Sequence, residues 1–238
     1  MIAVIVPAHE EAAELGDCLF SIAEATTSAR LEGEPCRVVV VADACSDATA
    51  SIARGMGAQV LEIAARNVGM ARRAGAQAAL EVGARWLAFT DADTRVSRDW
   101  LAEQLALRRD VVCGTVGIRD WGDYTHRARR AYRAEYTDSD AHRHVHGANL
   151  GASARAYARV GGFPALRSGE DVAFVERAQA HGLTIAWSRA PRVWTSTRRT
   201  HRAPGGFGAF LRKLEHVVEE GSASPSHAAG VHTGGVRT

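Results

Sequence analysis

The stretch Trp86-Leu-Ala-Phe-Thr-Asp91-Ala-Asp93-Thr94 decides how this chain reads. Its apolar part is short, aromatic and uninterrupted. Gly83 precedes it, and a helix start, Ser97 followed by Trp100 and Leu101, comes after it. This is the pattern of a buried parallel strand over Trp86 to Phe89. Asp91 and Asp93 then sit at the strand's carboxyl end, outside which open α/β sheets bind their ligands. Two carboxylates one residue apart can share a hard divalent cation with phosphate oxygens. The plainer alternative is a polar turn in which one of them caps the next helix.

Upstream, Ile2 to Val6 is a β-branched run that ends at Pro7, Arg37 to Val41 is a second that ends on Asp43, and Val60 to Ile63 is a third. Leu15, Cys18, Leu19 and Ile22 recur at helical spacing. A helix through Ile52 follows the cap-rich Cys45-Ser46-Asp47, and an alanine-rich helix runs from Asn67 to about Val82. The first hundred residues therefore read β-α-β-α-β-α-β, with crossovers long enough for right-handed parallel units. No Gly-x-Gly-x-x-Gly turn and no Gly-x-x-x-x-Gly-Lys loop occurs, so phosphate must be held by other means.

Downstream the pattern changes. We expect a helix to about Arg108, a strand from Val111 to Val116, a charged helical stretch from about Asp123 to Arg143, and a short helix to Val160. Ser168-Gly169-Glu170-Asp171 opens an amphipathic helix that stops at Gly182, and its two acids suit either helix capping or catalysis. Two short strands, Thr184 to Trp187 and Arg192 to Trp194, and a helix from about Phe207 to Glu219 complete the ordered part. Residues 221–238, rich in Gly, Ser, Ala and His, read as a disordered tail. His142, His144 and His146 have no carboxylate at ligand spacing, and no zinc site is expected.

At 238 residues the chain suits one domain with a sizeable core. A net charge of +2 leaves no excess to hold a polyanion, so nucleic acid is not implied; basic residues gather only locally, at Arg127 to Arg133 and at Arg198, Arg199 and Arg202. Four scattered cysteines suggest a reducing compartment rather than a disulfide framework. No stretch has the length of a signal peptide or membrane span, so a cytoplasmic protein is expected, with peripheral membrane contact left open.

Taken in order, Ile5-Val-Pro-Ala-His-Glu-Glu11, Val41-Ala-Asp43-Ala-Cys-Ser-Asp47, Asn67-Val-Gly69-Met-Ala-Arg72, the Asp91-Ala-Asp93 pair, His146-Gly-Ala-Asn149, Gly161-Gly-Phe163 and Gly169-Glu-Asp171 resemble the GT-A glycosyltransferases, in particular the inverting bacterial enzymes of family 2. The resemblance covers about residues 1–215. It implies an α/β fold, GT-A, with a Rossmann-like, mostly parallel central sheet and helices on both faces in a single domain. Residues 1–100 would form the nucleotide-binding half and 101–215 the acceptor side. It further implies transfer of a sugar from a nucleotide-diphosphate sugar to an acceptor hydroxyl, assisted by Mg²⁺ or Mn²⁺. Asp93 would ligate the metal, and Asp91 would face the metal or the ribose. Asp43 would bond the base, Pro7, Ala8 and Glu10 would shape the nucleotide pocket, and Arg72 would join the nucleotide site. Asp171 would be the general base, with Glu170 positioning acceptor or base.

Two departures stand out. The first acid often seen after strand two is Ala42 here, and the position where many relatives carry a late metal-binding histidine falls at Thr195 or Ser196. His201 is the substitute candidate ligand, and Arg198, with Arg199, the candidate for phosphate contact, since a guanidinium grips phosphate bidentately. Alternatives are a retaining GT-A transferase, a nucleotidyltransferase that makes nucleotide sugars, and a non-catalytic nucleotide-sugar binding protein. Pro7-Ala-His-Glu-Glu11 lacks the glycine and lysine of a nucleotidyltransferase loop. Sugar, base, acceptor identity and oligomeric state have no signature in the sequence.

Overall fold

The computed structural model describes residues 1–197 together with 211 and 215. The first half follows the expected alternation: β1 (Ile2–Ala8), α1 (Leu15–Thr26), β2 (Cys36–Asp43), α2 (Thr49–Gly55), β3 (Gln59–Ile63), α3 (Val68–Glu81) and β4 (Trp86–Phe89). After it come β5 (Thr94–Val96), α4 (Trp100–Ala106), β6 (Val111–Gly117), α5 (His126–Glu135), β7 (Leu150–Ser153), α6 (Ala154–Val160), α7 (Glu170–Ala180) and β8 (Ile185–Thr195). All strands join one eight-stranded sheet in the order β3-β2-β1-β4-β7-β6-β8-β5. Strands β3, β2, β1 and β4 are mutually parallel, whereas β7 runs antiparallel to both β4 and β6.

Strand alternation distributes the core between two faces. Ile2, Val4 and Val6 of β1 pack with Leu15, Cys18 and Ile22 of α1, together with Trp100 and Leu101 of α4. Ala3 and Ile5 point the other way, towards Ala76 and Ala79 of α3 and, further along the sheet, Phe163, Phe174 and Val175. Small residues let α3 lie close to the strands: a Cβ on Gly75 would come within 2.6 Å of Ile5 Cγ2. Pro7 has no N–H to give, but it lies past Ile5, the last β1 residue that β4 pairs, so a central strand tolerates it there.

Several downstream expectations are corrected. The two short strands at 184–187 and 192–194 are one strand, β8, whose pairing with β6 shifts register between Gly114 and Val116. The bulge lets a single strand pass Arg189 and Ala190, which carry no strand-like pattern. The helical stretch from 123 to 143 shrinks to α5, and residues 136–146 are irregular, held by ring stacking rather than helix bonds. β5 and β7 are strands the sequence pattern does not disclose, being only three and four residues long. The proposed helix over 207–219 and the tail lie outside the described residues, apart from helical Leu211 and Glu215.

Candidate active site

The strand order reverses between β1 and β4, and the crevice at their carboxyl ends gathers the candidate residues. On one wall the loops after β1 and β2 are laced together. Glu10, at φ 56, accepts from Ser46 N–H at 2.6 Å and from Ser46 Oγ at 2.8 Å. These bonds hold its carboxyl below the usual carboxylate range. Asp47 accepts from Ala12 N–H, and Thr49 Oγ1 accepts from Glu11 N–H. Pro7 and Ala8 are buried beneath this lacing, at the end of β1.

Asp43 is only 4% exposed. Its Oδ1 accepts from Ala65 and Arg66 N–H at 2.7 and 2.8 Å, and its Oδ2 accepts from Asn67 N–H at 2.7 Å. Three backbone donors thus occupy most of a carboxylate's accepting capacity. The carboxylate ties the end of β2 to the turn that starts α3, where Asn67 caps the helix by accepting from Met70 N–H.

Asp91 and Asp93 do not cap a helix. They form the turn from β4 into β5, closed by Thr94 N–H donating to Asp91 carbonyl. Pairing of β5 with β8 sets Thr195 opposite Thr94, so Thr195 Oγ1 lies 3.4 Å from Asp93 Oδ1, and Thr94 Oγ1 lies at the same distance. Ser196 N–H donates to the Asp93 carbonyl at 3.1 Å. The position where the resemblance expects a histidine is therefore at Asp93, but it offers a hydroxyl. Among the described residues no group of three or more His, Cys, Asp or Glu side chains is arranged to hold a metal. Arg198 and His201 lie outside the described residues.

The acceptor wall comes from α7 and the turn before β7. Gly169, at φ 76, occupies the N-cap of α7 and turns the chain so that Glu170 and Asp171 enter the first turn. Asp171 does more than cap: Oδ2 accepts from Gly147 N–H at 2.7 Å and Oδ1 from Val172 N–H at 2.8 Å. Glu170 is buried and pairs with Arg72, which also donates to Asp91 at 2.5 Å. The structure thus brings Arg72, Asp91, Glu170 and Asp171 together around Gly147.

The sequence names Asn149 and the histidines but does not disclose how they hold this wall. Asn149 is fully buried; its Oδ1 accepts from Trp100 Nε1, and its Nδ2 donates to the carbonyls of Thr115 and Pro191 at 2.7 and 2.8 Å. The rings of Tyr132, Tyr136 and His144 stack in sequence, with centroids 4.9 and 4.2 Å apart. Tyr136 hydroxyl accepts from Val116 N–H and lies 3.1 Å from His146 Nε2. Burial pushes the His146 pKa down to about 4, so the ring is neutral. The three histidines are members of a stacked aromatic wall.

Solved structures share this architecture. S. aureus TarS 1-349 in complex with UDP-GlcNAc superposes with a TM-score of 0.64 at 17% identity, covering 91% of this chain and 66% of that one. The mannosyltransferase PcManGT from Pyrobaculum calidifontis, in complex with GDP-Man and Mn²⁺, gives 0.59 at 21% identity, covering 93% and 63%. A mycobacterial protein gives 0.59 at 16% identity, covering 92% and 72%. The chain spans 36% of the longer TarS chain. No curated protein sequence matches significantly. The model of the family described as Glycosyl transferase family 2 matches residues 3–159. With that match over more than half of its residues, the chain belongs to glycosyl transferase family 2.

Proposed function

We propose that the protein transfers a sugar from a nucleotide-diphosphate sugar to an acceptor hydroxyl with inversion at the anomeric carbon. The observation that carries this reading is the charge of the crevice. Among the described residues, the carboxylates of Asp91, Asp93 and Asp171 gather there, while the Arg72 guanidinium is tied to Asp91 and to buried Glu170. A diphosphate cannot enter so negative a site without a cation, and the donors at hand, two turn carboxylates and two threonine hydroxyls, are the hard oxygens that Mg²⁺ or Mn²⁺ takes. The residues fit such an ion with phosphate and water completing its shell, Asp93 and Asp91 being the protein ligands. When bound, the ion would neutralise charge developing on the departing diphosphate. The similar structures of TarS in complex with UDP-GlcNAc and of PcManGT in complex with GDP-Man and Mn²⁺ support a donor of this class.

The bond changes follow from the residues in hand. The acceptor oxygen forms a bond to the anomeric carbon as the carbon–oxygen bond to the diphosphate breaks. The hydroxyl proton passes to Asp171, and the nucleoside diphosphate leaves with the electron pair. Gly147 and Val172 N–H groups bond to the Asp171 carboxylate and fix its orientation in the crevice. Asp43 and Glu10 act on the nucleotide side by fixing the loops at 65–67 and 45–47, with Pro7 and Ala8 as the floor of the pocket. Arg198 and His201 remain assigned to phosphate and metal on sequence grounds. Residues 1–100 serve the donor and 101–215 the acceptor. The four cysteines are free thiols, which supports a cytoplasmic setting, and no helix among the described residues is long and apolar enough to cross a membrane.

The test is calorimetric titration of UDP and GDP with and without Mn²⁺, on wild type and Asp93→Asn. Metal-enhanced binding in wild type and its loss in the variant are expected. A wild-type protein that binds neither nucleotide under either condition would refute the reading.

A further inference from the structure

Arg72 occupies the point where the donor and acceptor walls meet. It projects from α3, is 3% exposed, and sends Nη2 to Asp91 Oδ1 and Nη1 to Glu170 Oε1. A Cβ on Gly147 would overlap its guanidinium, so the backbone that donates to Asp171 lies directly on it. Phe163 contributes its ring at 6.0 Å from Arg72 Cζ. Arg72 Nε has no hydrogen-bond partner among the described residues. With both ends of the fork engaged and almost no surface left, the side chain does not reach a bound donor. Its planar, always-charged fork is what can span two carboxylates on different elements; a lysine ammonium is a point charge without that fixed geometry.

The geometry points to Arg72 as a positioning residue: a fork that holds Asp91, from the β4–β5 turn, and Glu170, from the start of α7, at one separation, so that metal ligand and base stay in register. This inference rests on the proposed function and deepens it. It moves Arg72 from the nucleotide contacts to the frame behind them, and it gives Glu170 the task of anchoring Arg72 rather than meeting the acceptor. Asp171 is the next residue on the same helical turn, and Gly147 touches both Arg72 and Asp171, so a displacement of the fork moves the base as well as Asp91.

The experiment compares wild type, Arg72→Lys, Glu170→Gln and the double variant. UDP and GDP are titrated by calorimetry with and without Mn²⁺, and transfer or donor hydrolysis is followed beside it. Partners standing behind a metal-holding group typically alter metal affinity or activity by roughly 10- to 100-fold. Glu170→Gln, which touches no donor atom, should lose that factor in the Mn²⁺-dependent part of binding and in kcat, with metal-free affinity unchanged. Arg72→Lys should do the same, and the double variant should be no worse than the worse single, because the two residues act as one unit. Multiplying losses, wild-type behaviour of Glu170→Gln, or a fall in the metal-free affinity of Arg72→Lys would overturn the inference, the last by making Arg72 a direct donor contact. If wild type itself binds no nucleotide, the proposed function fails separately, and urea midpoints of the same four proteins judge the fork: non-additive shifts support it and additive ones reject it.

Discussion

The donor half and the acceptor half reach the same crevice by different routes. From β1 to β4 each strand is joined through a helix to a next strand that runs parallel to it, and the loops are closed by short polar side chains on nearby backbone: Asp43 on 65–67, Asp47 on Ala12, Glu10 on Ser46. In residues 101–197 the order of strands in the sheet departs from their order in the chain, and β8 joins both β6 and β5. There the fastening is done by a few buried side chains that reach across elements, such as Asn149 to Trp100, Thr115 and Pro191. A repeated local unit makes the donor wall robust and readable, whereas the acceptor wall depends on single long-range contacts. Damage should therefore be more concentrated on the acceptor side.

The largest effect is expected at Asp171. Asp171→Asn removes the base, so transfer should fall by roughly 10²-fold or more with donor affinity nearly kept. The structure adds that Asn cannot accept from both Gly147 and Val172 with its two terminal atoms, so a modest loss of stability should accompany it. A folded variant with more than about a tenth of wild-type transfer would end the base assignment.

Asn149→Leu sharpens the comparison from the stability side. It strands the Trp100 Nε1 donor and two buried carbonyls, each costing about 1–3 kcal/mol when left unpaired. We expect about 4 kcal/mol of destabilisation in urea unfolding, at the upper end for single substitutions. A loss below about 1 kcal/mol would mean that the acceptor wall does not hang on this residue.

Asp43→Ala is the donor-side counterpart. Its three N–H partners lie in a loop where water can replace part of the lost acceptor, so about 2 kcal/mol is expected, with faster amide exchange at 65–67. If it costs more than Asn149→Leu, the contrast between the halves is broken.

The effect confined to acid pH comes last. His146 has its pKa lowered to about 4 by burial, against an unfolded value near 6.5. Between these the unfolded chain binds the extra proton, so stability rises with pH: the contribution is complete above about 6.5 and is lost as pH falls towards 4. Its slope approaches about 1.4 kcal/mol per pH unit, and His142 and His144, also lowered chiefly by burial, act in the same direction. His146→Gln should flatten that slope between pH 4 and 6.5 in urea midpoints. An unchanged slope would put the ring outside the buried wall.

What the sequence determined by itself is the parallel half and the identity of the acids. Val38 to Val41 or Trp86 to Phe89 reads as a buried strand, because a short apolar run rich in β-branched or aromatic residues has no solvent face, and a carboxylate placed at its end inherits the crevice. The glycine-led Glu170-Asp171 start of α7 was legible for the same local reason. Tertiary structure alone decided the rest. Strands of three and four residues, β5 and β7, carry too little pattern to announce themselves and exist because the sheet supplies partners for their backbone groups. The single strand β8, the placement of Thr195 at Asp93, and the spending of Asp43 on three N–H groups follow from register and loop closure, which a one-dimensional pattern does not encode. The same holds for Arg72. Its position in α3 reads as one more cation near a nucleotide, and only the meeting of three distant segments makes it the centre of two ion pairs, because no local preference can favour a contact whose partners lie 19 and 98 residues away.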